Sequence, residues 1–317
     1  MTKVTTRELR VQTACADEEL RPLIRRCGAD GGNMAFRRYS TPLHAGLAAL
    51  VAVSVLVSAV LHAAGKPITV GLILDGSSRA DREPLRAYLT AAMGRQVDIA
   101  TPDLYSETVA GLAHGSYDFA CLGALMYIRA HARYGVIPLV QSTADSQFHS
   151  VFITGVDSPI HSLRDLEGTQ FAFGDINSTS AYLIPYRELK EAGINPESDL
   201  KIRYSGSHPA TAALVQAGVV DAGALGETVF NSLISSGKLD RKKVRVFYTS
   251  KPFADSVCVA RKDVSEAERE TFSRALLSLH GGKDDAVLKI LRAEQFVVAK
   301  DEEYASIRRI ARELKMF

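Results

Sequence analysis

The 317-residue sequence has almost no excess of either charge, with 38 lysines and arginines against 36 aspartates and glutamates. Nucleic-acid-binding domains usually show a strongly basic face, so this balance gives no reason to expect a nucleic-acid partner. The sequence also lacks the Gly-Lys-Ser/Thr of a phosphate-binding P-loop and the Gly-x-Gly-x-x-Gly motif of dinucleotide-binding proteins. Nucleotide hydrolysis and dinucleotide-dependent chemistry are therefore disfavoured.

Cysteine is scarce as well, with four residues in the whole chain. No Cys-x-x-Cys pair and no His/Cys spacing typical of zinc is present, so we predict no metal site and no cofactor. Cys15 and Cys27 precede an apolar segment at 43–65, whereas Cys121 and Cys258 lie inside apolar, strand-like runs. A cysteine in such a run usually behaves as a small buried hydrophobic residue, so we expect both to be free thiols.

The N-terminal region has the layout of an export signal or a membrane anchor. Residues 1–42 form a basic N-terminal segment, and residues 43–65 contain no lysine, arginine, aspartate or glutamate. A span needs about 20 apolar residues, so a cleaved signal peptide and an uncleaved anchor are both open. An anchor would leave Arg37 and Arg38 in the cytoplasm and the rest of the chain outside. Residues 34–65 by themselves have the layout of a signal peptide, so we expect Met34 to be the natural start.

From Lys66 onward, strand-like and helix-like segments alternate along the sequence. Such alternation predicts an α/β fold with a doubly wound, parallel sheet. The series occurs twice, so we predict two lobes with the same plan, of which residues 151–250 form the second. The end of the chain has one predicted strand and three predicted helices, too few for a core of its own. We therefore assign residues 66–150 plus 251–317 to the first lobe and expect a ligand cleft between the lobes.

The most informative stretch lies where a predicted strand turns into the helix predicted at 182–193. Asn177, Ser178, Thr179 and Ser180 follow one another there. The first turn of a helix has unsatisfied N–H groups and the positive end of the dipole, and hydroxyl groups add further donors. Capping by Asn177 or Ser178 alone is the structural alternative, although a cap needs only one such residue. Four in a row favour a site for a small anion.

The segment 175–185, which contains these residues, resembles the central motif of the phosphate, phosphite and phosphonate family of periplasmic solute-binding proteins. The similarity covers about residues 66–300 and is also visible at 118–127, 205–208, 218–224 and 252–255. It implies the type II periplasmic-binding-protein fold, in which two α/β lobes close over an oxyanion. It also implies a periplasmic monomer that delivers its ligand to an ABC transporter permease and catalyses no reaction.

The resemblance further implies a set of ligand-binding residues. These are Asn177, Ser178, Thr179, Ser180, Tyr105, Tyr127, His208, Asp255 and Glu227. The hydroxyl residues and nearby amides would hold the anion, Tyr105 and Tyr127 would form the opposite wall, and His208 would donate a hydrogen bond. For each tyrosine the alternative is ordinary packing, and for His208 it is capping of its own helix.

This chain departs from many members of that family at 121–124, where Cys-Leu-Gly-Ala replaces a bulky aromatic residue and a proline. The pocket wall differs there, so the ligand stays open among phosphonate, phosphite and phosphate. Acidic residues in the cleft of phosphonate binders recognise an amine, and Asp255 and Glu227 match these loosely. Glu227 is also typical of a negative charge in the first turn of a helix.

Two other functions could use the same residues. Ser178, His208 and Asp255 could form a nucleophilic triad, but no Gly-x-Ser-x-Gly turn holds the serine, so a hydrolase is the weaker hypothesis. With an uncleaved anchor, the same cleft would serve a membrane-tethered sensor or a partner-binding ectodomain instead of a transporter.

Overall fold

The computed structural model describes residues 65–73 and 80–317. The predicted basic N-terminal segment, the start at Met34 and, except for Gly65, the export or anchor segment lie outside these residues. Within the described part, no helix is both long and apolar enough to cross a membrane.

The strands are β1 (Ile68–Gly71), β2 (Val97–Ala100), β3 (Phe119–Leu122), β4 (Ile137–Ser142), β5 (Ser150–Gly155), β6 (Gln170–Phe173), β7 (Lys201–Tyr204), β8 (Ala222–Gly226), β9 (Val244–Thr249), β10 (Val257–Ala260) and β11 (Phe296–Val298). The α-helices are α1 (Glu83–Met93), α2 (Tyr105–Ala113), α3 (Ala124–Tyr134), α4 (Ile184–Glu191), α5 (Pro196–Asp199), α6 (His208–Gln216), α7 (Glu227–Ser235), α8 (Glu266–Leu277), α9 (Asp285–Leu291) and α10 (Ala305–Glu313).

The strands form two mixed sheets with the same internal plan. The first has the order β11-β4-β10-β3-β1-β2, and the second has the order β7-β6-β8-β5-β9. In the first sheet β2 and β3 run parallel to β1, while β10 runs antiparallel between β3 and β4. In the second sheet β7 and β8 run parallel to β6, while β5 runs antiparallel between β8 and β9. The predicted two-lobed α/β fold is confirmed, except that each sheet contains antiparallel pairs that the expected parallel plan lacks.

The chain passes between the lobes twice. The strand β5 follows β4 of the first sheet, and β10 follows β9 of the second, so each is the strand by which the chain enters a new sheet. The last strand, β11, pairs with β4 in the first sheet. It is absent from the predicted elements because three residues are too few to show an alternating pattern. The predicted lobe limits, 66–150 plus 251–317 and 151–250, stay a prediction.

Both sheets are buried on both faces, as single strands show. In β3, Phe119 packs with α1, α8 and α9, whereas Leu122 packs on the other face with α2, α3 and α10. In β6, Phe173 and Ala172 likewise belong to two different hydrophobic clusters. Successive side chains of a strand point to opposite faces, so a strand that is apolar throughout needs cover on both. The strand ends and the helix starts are thereby left to form the cleft.

The expectation that Cys121 and Cys258 are free thiols is wrong, because the two form a disulfide. They are 137 residues apart in sequence, yet they lie directly opposite each other in the antiparallel pair β3–β10, with Cα atoms 3.9 Å apart. Opposite residues of antiparallel strands have neighbouring side chains on one face of the sheet. The pairing therefore follows from the strand order, which the local sequence around either cysteine does not reveal.

The helix predicted at 182–193 begins earlier than expected and with a wider turn. A π-helical turn, Thr179–Leu183, precedes α4. Pro185 explains the wide turn, because it has no N–H for the Ala181 carbonyl and its ring crowds that carbonyl. The Ala181 carbonyl instead accepts a hydrogen bond from the Gly174 N–H at 3.0 Å. The hydroxyl residues therefore belong to the helix start itself and not to a loop before it.

Candidate functional site

A cavity of about 150 Å³ lies between the two lobes. Sites for drug-sized ligands enclose about 300–1,000 Å³, so this cavity suits a smaller molecule. Residues from both lobes line it, namely Leu72, Ile73, Tyr105, Cys121, Gly123, Gln141, Ser142, Asp145, Phe148, Ser178, Thr179, Ser180, His208, Thr228, Val229, Asp255, Ser256, Val257, Cys258, Ile290, Leu291, Arg292 and Phe296.

Five helices begin at this cavity. The lining residues at these starts are Tyr105, the first residue of α2, Gly123 before α3, Ser178 before the π-helical turn, His208, the first residue of α6, and Thr228, the second residue of α7. Each helix start presents unsatisfied backbone N–H groups and the positive end of a dipole. Several starts around one small space each contribute positive potential there, which favours a small anion.

The hydroxyl segment, residues 177–180, contributes three buried side chains to the lining. Ser178 Oγ accepts a hydrogen bond from the Ala181 N–H at 3.0 Å and so caps the turn. Thr179 Oγ1 accepts one from the Leu125 N–H at 3.0 Å, across the boundary between the lobes. Because each of these oxygens already accepts from a backbone N–H, its own O–H is the group that donates. Such donors suit a ligand that is rich in acceptors, as an oxyanion is.

Two carboxylates, Asp255 and Asp145, also line the cavity. Asp255 is only 6% exposed, and burial together with the nearby Asp145 raises its pKa from 3.8 to about 7. The nearby hydroxyls of Thr179 and Ser180 lower the pKa of Asp255, but by less than burial raises it. Oδ1 of Asp255 has no hydrogen-bond partner among the described residues. Burial also raises the pKa of Asp145 to about 6, although Ser142 Oγ donates a 2.6 Å hydrogen bond to this carboxylate, which lowers the pKa. Near neutral pH this pair therefore retains a proton that exposed aspartates would have lost.

His208 lies at the start of α6, is 7% exposed and lines the cavity. The Gly226 N–H donates a hydrogen bond to its Nδ1 at 3.0 Å. A ring nitrogen that accepts a hydrogen bond carries no proton, so the neutral ring holds its proton on Nε2. His208 is therefore equipped as a donor, and its Nδ1 cannot donate to an aspartate as a catalytic triad requires.

Three predicted site residues are not among the lining residues in the described part of the chain. Tyr127 is fully buried in the first-lobe core, and its O–H donates to Asp301 Oδ1 at 2.7 Å. Glu227 is the first residue of α7 and supplies an acidic charge to its first turn. Asn177 accepts a hydrogen bond from Arg129 Nη1 at 2.8 Å. For these three residues a direct role in binding stays a prediction, and each position fits a structural role.

Arg129 joins the two lobes at the hydroxyl segment. From α3 it donates to Asn177 Oδ1 of the hydroxyl segment and, through Nε at 3.1 Å, to the Met316 carbonyl. The Met316 side chain packs against hydrophobic clusters of both lobes. Together with the hydrogen bond between Leu125 and Thr179, this contact holds the hydroxyl segment against the first lobe.

Reasoning from the sequence misses Asp145, Ser142, Thr228 and Arg292, all of which line the cavity. Thr228 is the second residue of α7 and not its cap, so the sequence could have identified it only as a hydroxyl residue in the first turn of a predicted helix. Asp145 and Ser142 lie at or just after the end of β4, and Arg292 follows α9. Only the folding of distant segments brings these three to the cavity.

Residues 75–304, more than two thirds of the chain, match the family described as "ABC transporter, phosphonate, periplasmic substrate-binding protein". The chain is 27% identical over 268 residues to the probable ABC transporter phosphite binding protein PhnD1 of Prochlorococcus marinus (strain MIT 9301), a match that covers 78% of this chain and 90% of that protein. It is 27% identical over 219 residues to the phosphonates-binding periplasmic protein of Escherichia coli (strain K12), covering 66% and 64% respectively.

A solved structure is similar over both lobes. The 1.52 Å structure of PhnD1 from Prochlorococcus marinus (MIT 9301) in complex with methylphosphonate superposes with a TM-score of 0.73 at 26% sequence identity. The match covers 80% of this chain and 99% of that one. It therefore includes the elements that surround the cavity.

Proposed function

The chain belongs to the family of periplasmic substrate-binding proteins of ABC phosphonate transporters, and we propose that it binds one small phosphorus oxyanion in the cavity for delivery to an ABC transporter permease. The observation that supports this most is the hydroxyl segment, in which Ser178, Thr179 and Ser180 line the cavity at a helix start. The relatives named above are described as phosphite-binding and phosphonates-binding, and the similar structure contains methylphosphonate. Donors of this kind suit phosphite and phosphonates alike.

The anion is held mainly by hydrogen-bond donors. The O–H groups of Ser178, Thr179 and Ser180, the Nε2–H of His208 and the backbone N–H groups of the helix starts supply them. Each hydrogen bond to a charged group contributes about 1.5–3 kcal/mol. Because backbone contacts already fix Thr179 and His208, little reorganisation is needed when the anion enters.

Asp255 controls the protonation state of the bound ligand. An ionised carboxylate repels a fully deprotonated oxyanion, whereas a P–O–H group can donate to the unpartnered Oδ1. With its pKa raised to about 7, Asp255 can also hold that proton itself. One proton is therefore shared between Asp255 and the anion in the complex.

The two lobes close around the ligand. The hydrogen bond from Leu125 to Thr179 and the contact of Arg129 with Asn177 already join the lobes, and an anion between them adds further bridges. A ligand can favour a closed state only through contacts made in that state. Small-angle scattering should give a smaller radius of gyration with ligand, and an unchanged curve at saturation would argue against closure.

Calorimetry on the purified protein tests the binding proposal. Titration with phosphate, phosphite and methylphosphonate should give a one-to-one isotherm with at least one of them. A thermal melt should shift in parallel, because a ligand at 100 times its Kd stabilises the folded state by about 2.7 kcal/mol. If the folded protein shows neither binding heat nor a thermal shift with any of the three anions, the proposal is refuted.

The same geometry argues against catalysis. His208 Nδ1 accepts from Gly226, and Ser178 Oγ accepts from Ala181, so neither is arranged as the base or the nucleophile of a triad. Incubation with p-nitrophenyl esters and phosphates should leave them uncleaved. Turnover that Ser178→Ala abolishes would support the hydrolase instead.

The protein acts as a periplasmic monomer, released or tethered by its N-terminal segment. Family membership supports the compartment. Osmotic shock should release the protein if the segment is cleaved. Retention in the membrane fraction would favour the tethered sensor, in which the same cavity reports a ligand rather than passing it on.

A further inference from the structure

The Cys121–Cys258 disulfide lies at the binding cavity itself. Both cysteines are among the residues that line the cavity. Cys258 is only 4% exposed, whereas Cys121 is partly exposed. A small thiol that enters the cavity therefore meets this bond, and it meets Cys121 first.

The disulfide joins the two strands that carry first-lobe parts of the site. Cys121 in β3 is two residues before Gly123, which directly precedes α3, and Cys258 in β10 is three residues after Asp255. The two parts also meet each other, because a backbone hydrogen bond from Ala124 lowers the pKa of Asp255. The strands joined by the bond therefore determine where the start of α3 and Asp255 lie relative to each other.

Both of these parts contact the hydroxyl segment of the second lobe. The Leu125 N–H donates to Thr179 Oγ1 at 3.0 Å, and hydrogen bonds from the hydroxyls of Thr179 and Ser180 lower the pKa of Asp255. Hydrogen bonds weaken steeply when their distance or angle departs from the optimum. The orientation of these hydroxyls therefore depends on where α3 and Asp255 lie.

Backbone pairing holds β10 less firmly on one of its two sides. On the β4 side the register shifts between Cys258 and Val259, and Pro138, opposite Val259, has no N–H to donate. On the β3 side β10 pairs in register along its whole length, and the disulfide lies within that pair. The covalent bond therefore secures β10 at the residue where its other ladder is interrupted.

The second lobe has an equivalent position without a covalent bond. In β5 the register with β9 likewise shifts after Phe152, whose partner in β8 is Ala224. Ala224 has the same place before α7 as Cys121 has before α3, two residues ahead of a glycine N-cap. Phe152 packs against the rings of Phe171 and Tyr248, at centroid distances of 5.9 and 5.3 Å. Aromatic packing fixes this strand, whereas the first lobe uses a bond that reduction breaks.

We propose that the Cys121–Cys258 disulfide is a positioning element of the binding site, and that the folded protein binds its oxyanion at least about tenfold more weakly once this bond is reduced. Tenfold is about the effect expected from the loss of one hydrogen bond. This inference rests on the proposed function, because it presumes that an oxyanion occupies the cavity. The periplasm is oxidising, so the site gains its full affinity only after the bond has formed there.

Reduction by a dithiol proceeds by thiol–disulfide exchange. A thiolate of the dithiol attacks Sγ of Cys121, a bond forms between these two sulfurs, and Cys258 leaves as a thiolate that takes up a proton. The second thiol of the reagent then attacks the reagent sulfur of the mixed disulfide and releases Cys121. The two cysteines gain two electrons and two protons, and the dithiol becomes a cyclic disulfide.

Calorimetry on the unaltered protein compares its oxidised form with its dithiothreitol-reduced form. Phosphate, phosphite and methylphosphonate are titrated into both, and the anion that binds the oxidised form most tightly gives the ratio. We expect Kd to rise at least about tenfold on reduction, while the far-UV circular dichroism stays unchanged.

The outcomes of this titration separate the two proposals. Equal Kd in both forms overturns this inference and leaves the proposed function intact. Unfolding of the reduced protein also overturns it, because the bond would then act on folding alone. Oxidised protein that binds none of the three anions refutes the proposed function itself.

The coupling is reciprocal, which gives a second measurement on the same protein. An anion that binds the oxidised form more tightly must also favour the disulfide over the two thiols. At 100 times the oxidised Kd, a tenfold difference in affinity should raise the equilibrium ratio of disulfide to dithiol by about ninefold. Alkylation and mass spectrometry of the peptides that contain Cys121 and Cys258 measure this ratio in a dithiothreitol buffer. An unchanged ratio at saturation overturns the inference.

Variants assign the effect to this bond. Replacing Cys121 and Cys258 together by serine should reproduce the weaker binding and make it insensitive to dithiothreitol. Phe272→Leu is the matched control, because Phe272 stacks on Phe119 of β3 and is not among the cavity-lining residues of the described chain. This change removes packing from the same sheet but should leave Kd unchanged. Parental affinity in the serine variant, or the same loss in Phe272→Leu, would contradict the proposal.

Discussion

The two lobes have the same strand order apart from β11, which the first sheet has in addition, but they present different chemistry to the cavity. The second lobe supplies the hydroxyl segment and His208, whereas the first supplies the two carboxylates Asp145 and Asp255 together with apolar side chains such as Leu72 and Leu291. Their central antiparallel pairs also differ, because β3 and β10 are joined by a disulfide while Phe152 of β5 faces Ala224 of β8. Topology therefore positions the strand ends and helix starts, and the residue types found there decide what can bind.

The largest effect on stability is expected from removing the disulfide that joins β3 to β10 in the first sheet. Replacing Cys121 and Cys258 together by serine should lower the free energy of unfolding by about 5 kcal/mol, because the bond closes a loop of 137 residues in the unfolded chain. Urea melts measure this loss. Hydrogen exchange should show that β3 loses more protection than its counterpart β8. Equal loss in both strands would mean that the disulfide does not distinguish the lobes.

The next effect concerns the polar side of the cavity. The double variant Thr179→Ala, Ser180→Ala removes two donors and should weaken oxyanion binding by about 2–5 kcal/mol, measured by titration. Ser265→Ala is the matched control, since Ser265 caps α8 by accepting from the Glu268 N–H. That variant should cost about 1 kcal/mol of stability and no affinity. Undiminished affinity in a folded double variant would move the site away from the hydroxyl segment.

The pH dependence of the free energy of unfolding should reveal the contribution of Asp255. Its pKa is raised from 3.8 to about 7, so the folded protein keeps a proton that the unfolded chain releases. The free energy of unfolding therefore falls as pH rises from about 4 to about 7, and Asp255→Asn should flatten this fall. At pH 8 the variant should be more stable than the parent by about 1–4 kcal/mol, with little difference at pH 4, in urea melts at both values.

An exposed aspartate provides the comparison for that measurement. Hydrogen bonds from the His161 and Ser162 N–H groups lower the pKa of Asp165, so its stabilising contribution is present at neutral pH and is lost as the pH falls. Asp165→Asn should therefore leave the fall between pH 4 and 7 in place. A parental slope in Asp255→Asn would show that another group binds the proton.

The smallest effect tests how closely the lobes approach. A Cβ at Gly123 would lie 3.3 Å from Thr179 Oγ1 and 3.7 Å from Asp255 Oδ1, so Gly123→Ala should crowd the closed state. We expect a loss of affinity of about 1 kcal/mol, measured by titration. Gly155→Ala is the control, because the nearest atom to a Cβ there is the Lys243 carbonyl oxygen at 4.0 Å. Equal affinity in both variants would show that the approach at Gly123 has no role in binding.

Local sequence patterns predict much of this fold. The strand at Lys201–Tyr204 lies where the alternation predicts it, and the capped helix after Ser265 is present with its capping box. The hydroxyl segment is also found at a helix start, because capping depends on neighbouring residues only. These features need no information from distant parts of the chain.

The remaining features depend on contacts between distant residues. The Cys121–Cys258 bond depends on the order of strands in the sheet, and Asp145 reaches the cavity only because β4 ends there. Tyr127 shows the same limit, because its place in the helix α3 is predictable, whereas its hydrogen bond to Asp301 depends on the C-terminal part of the chain. Propensity and periodicity contain no signal for such contacts.

A crystal structure of the protein with methylphosphonate would test the central claim most directly. We expect phosphonate oxygens within about 2.5–3.2 Å of the hydroxyls of Ser178, Thr179 and Ser180, and one oxygen at the same distance from Asp255. An anion bound elsewhere, or one in the cavity with no contact to these hydroxyls, would contradict it.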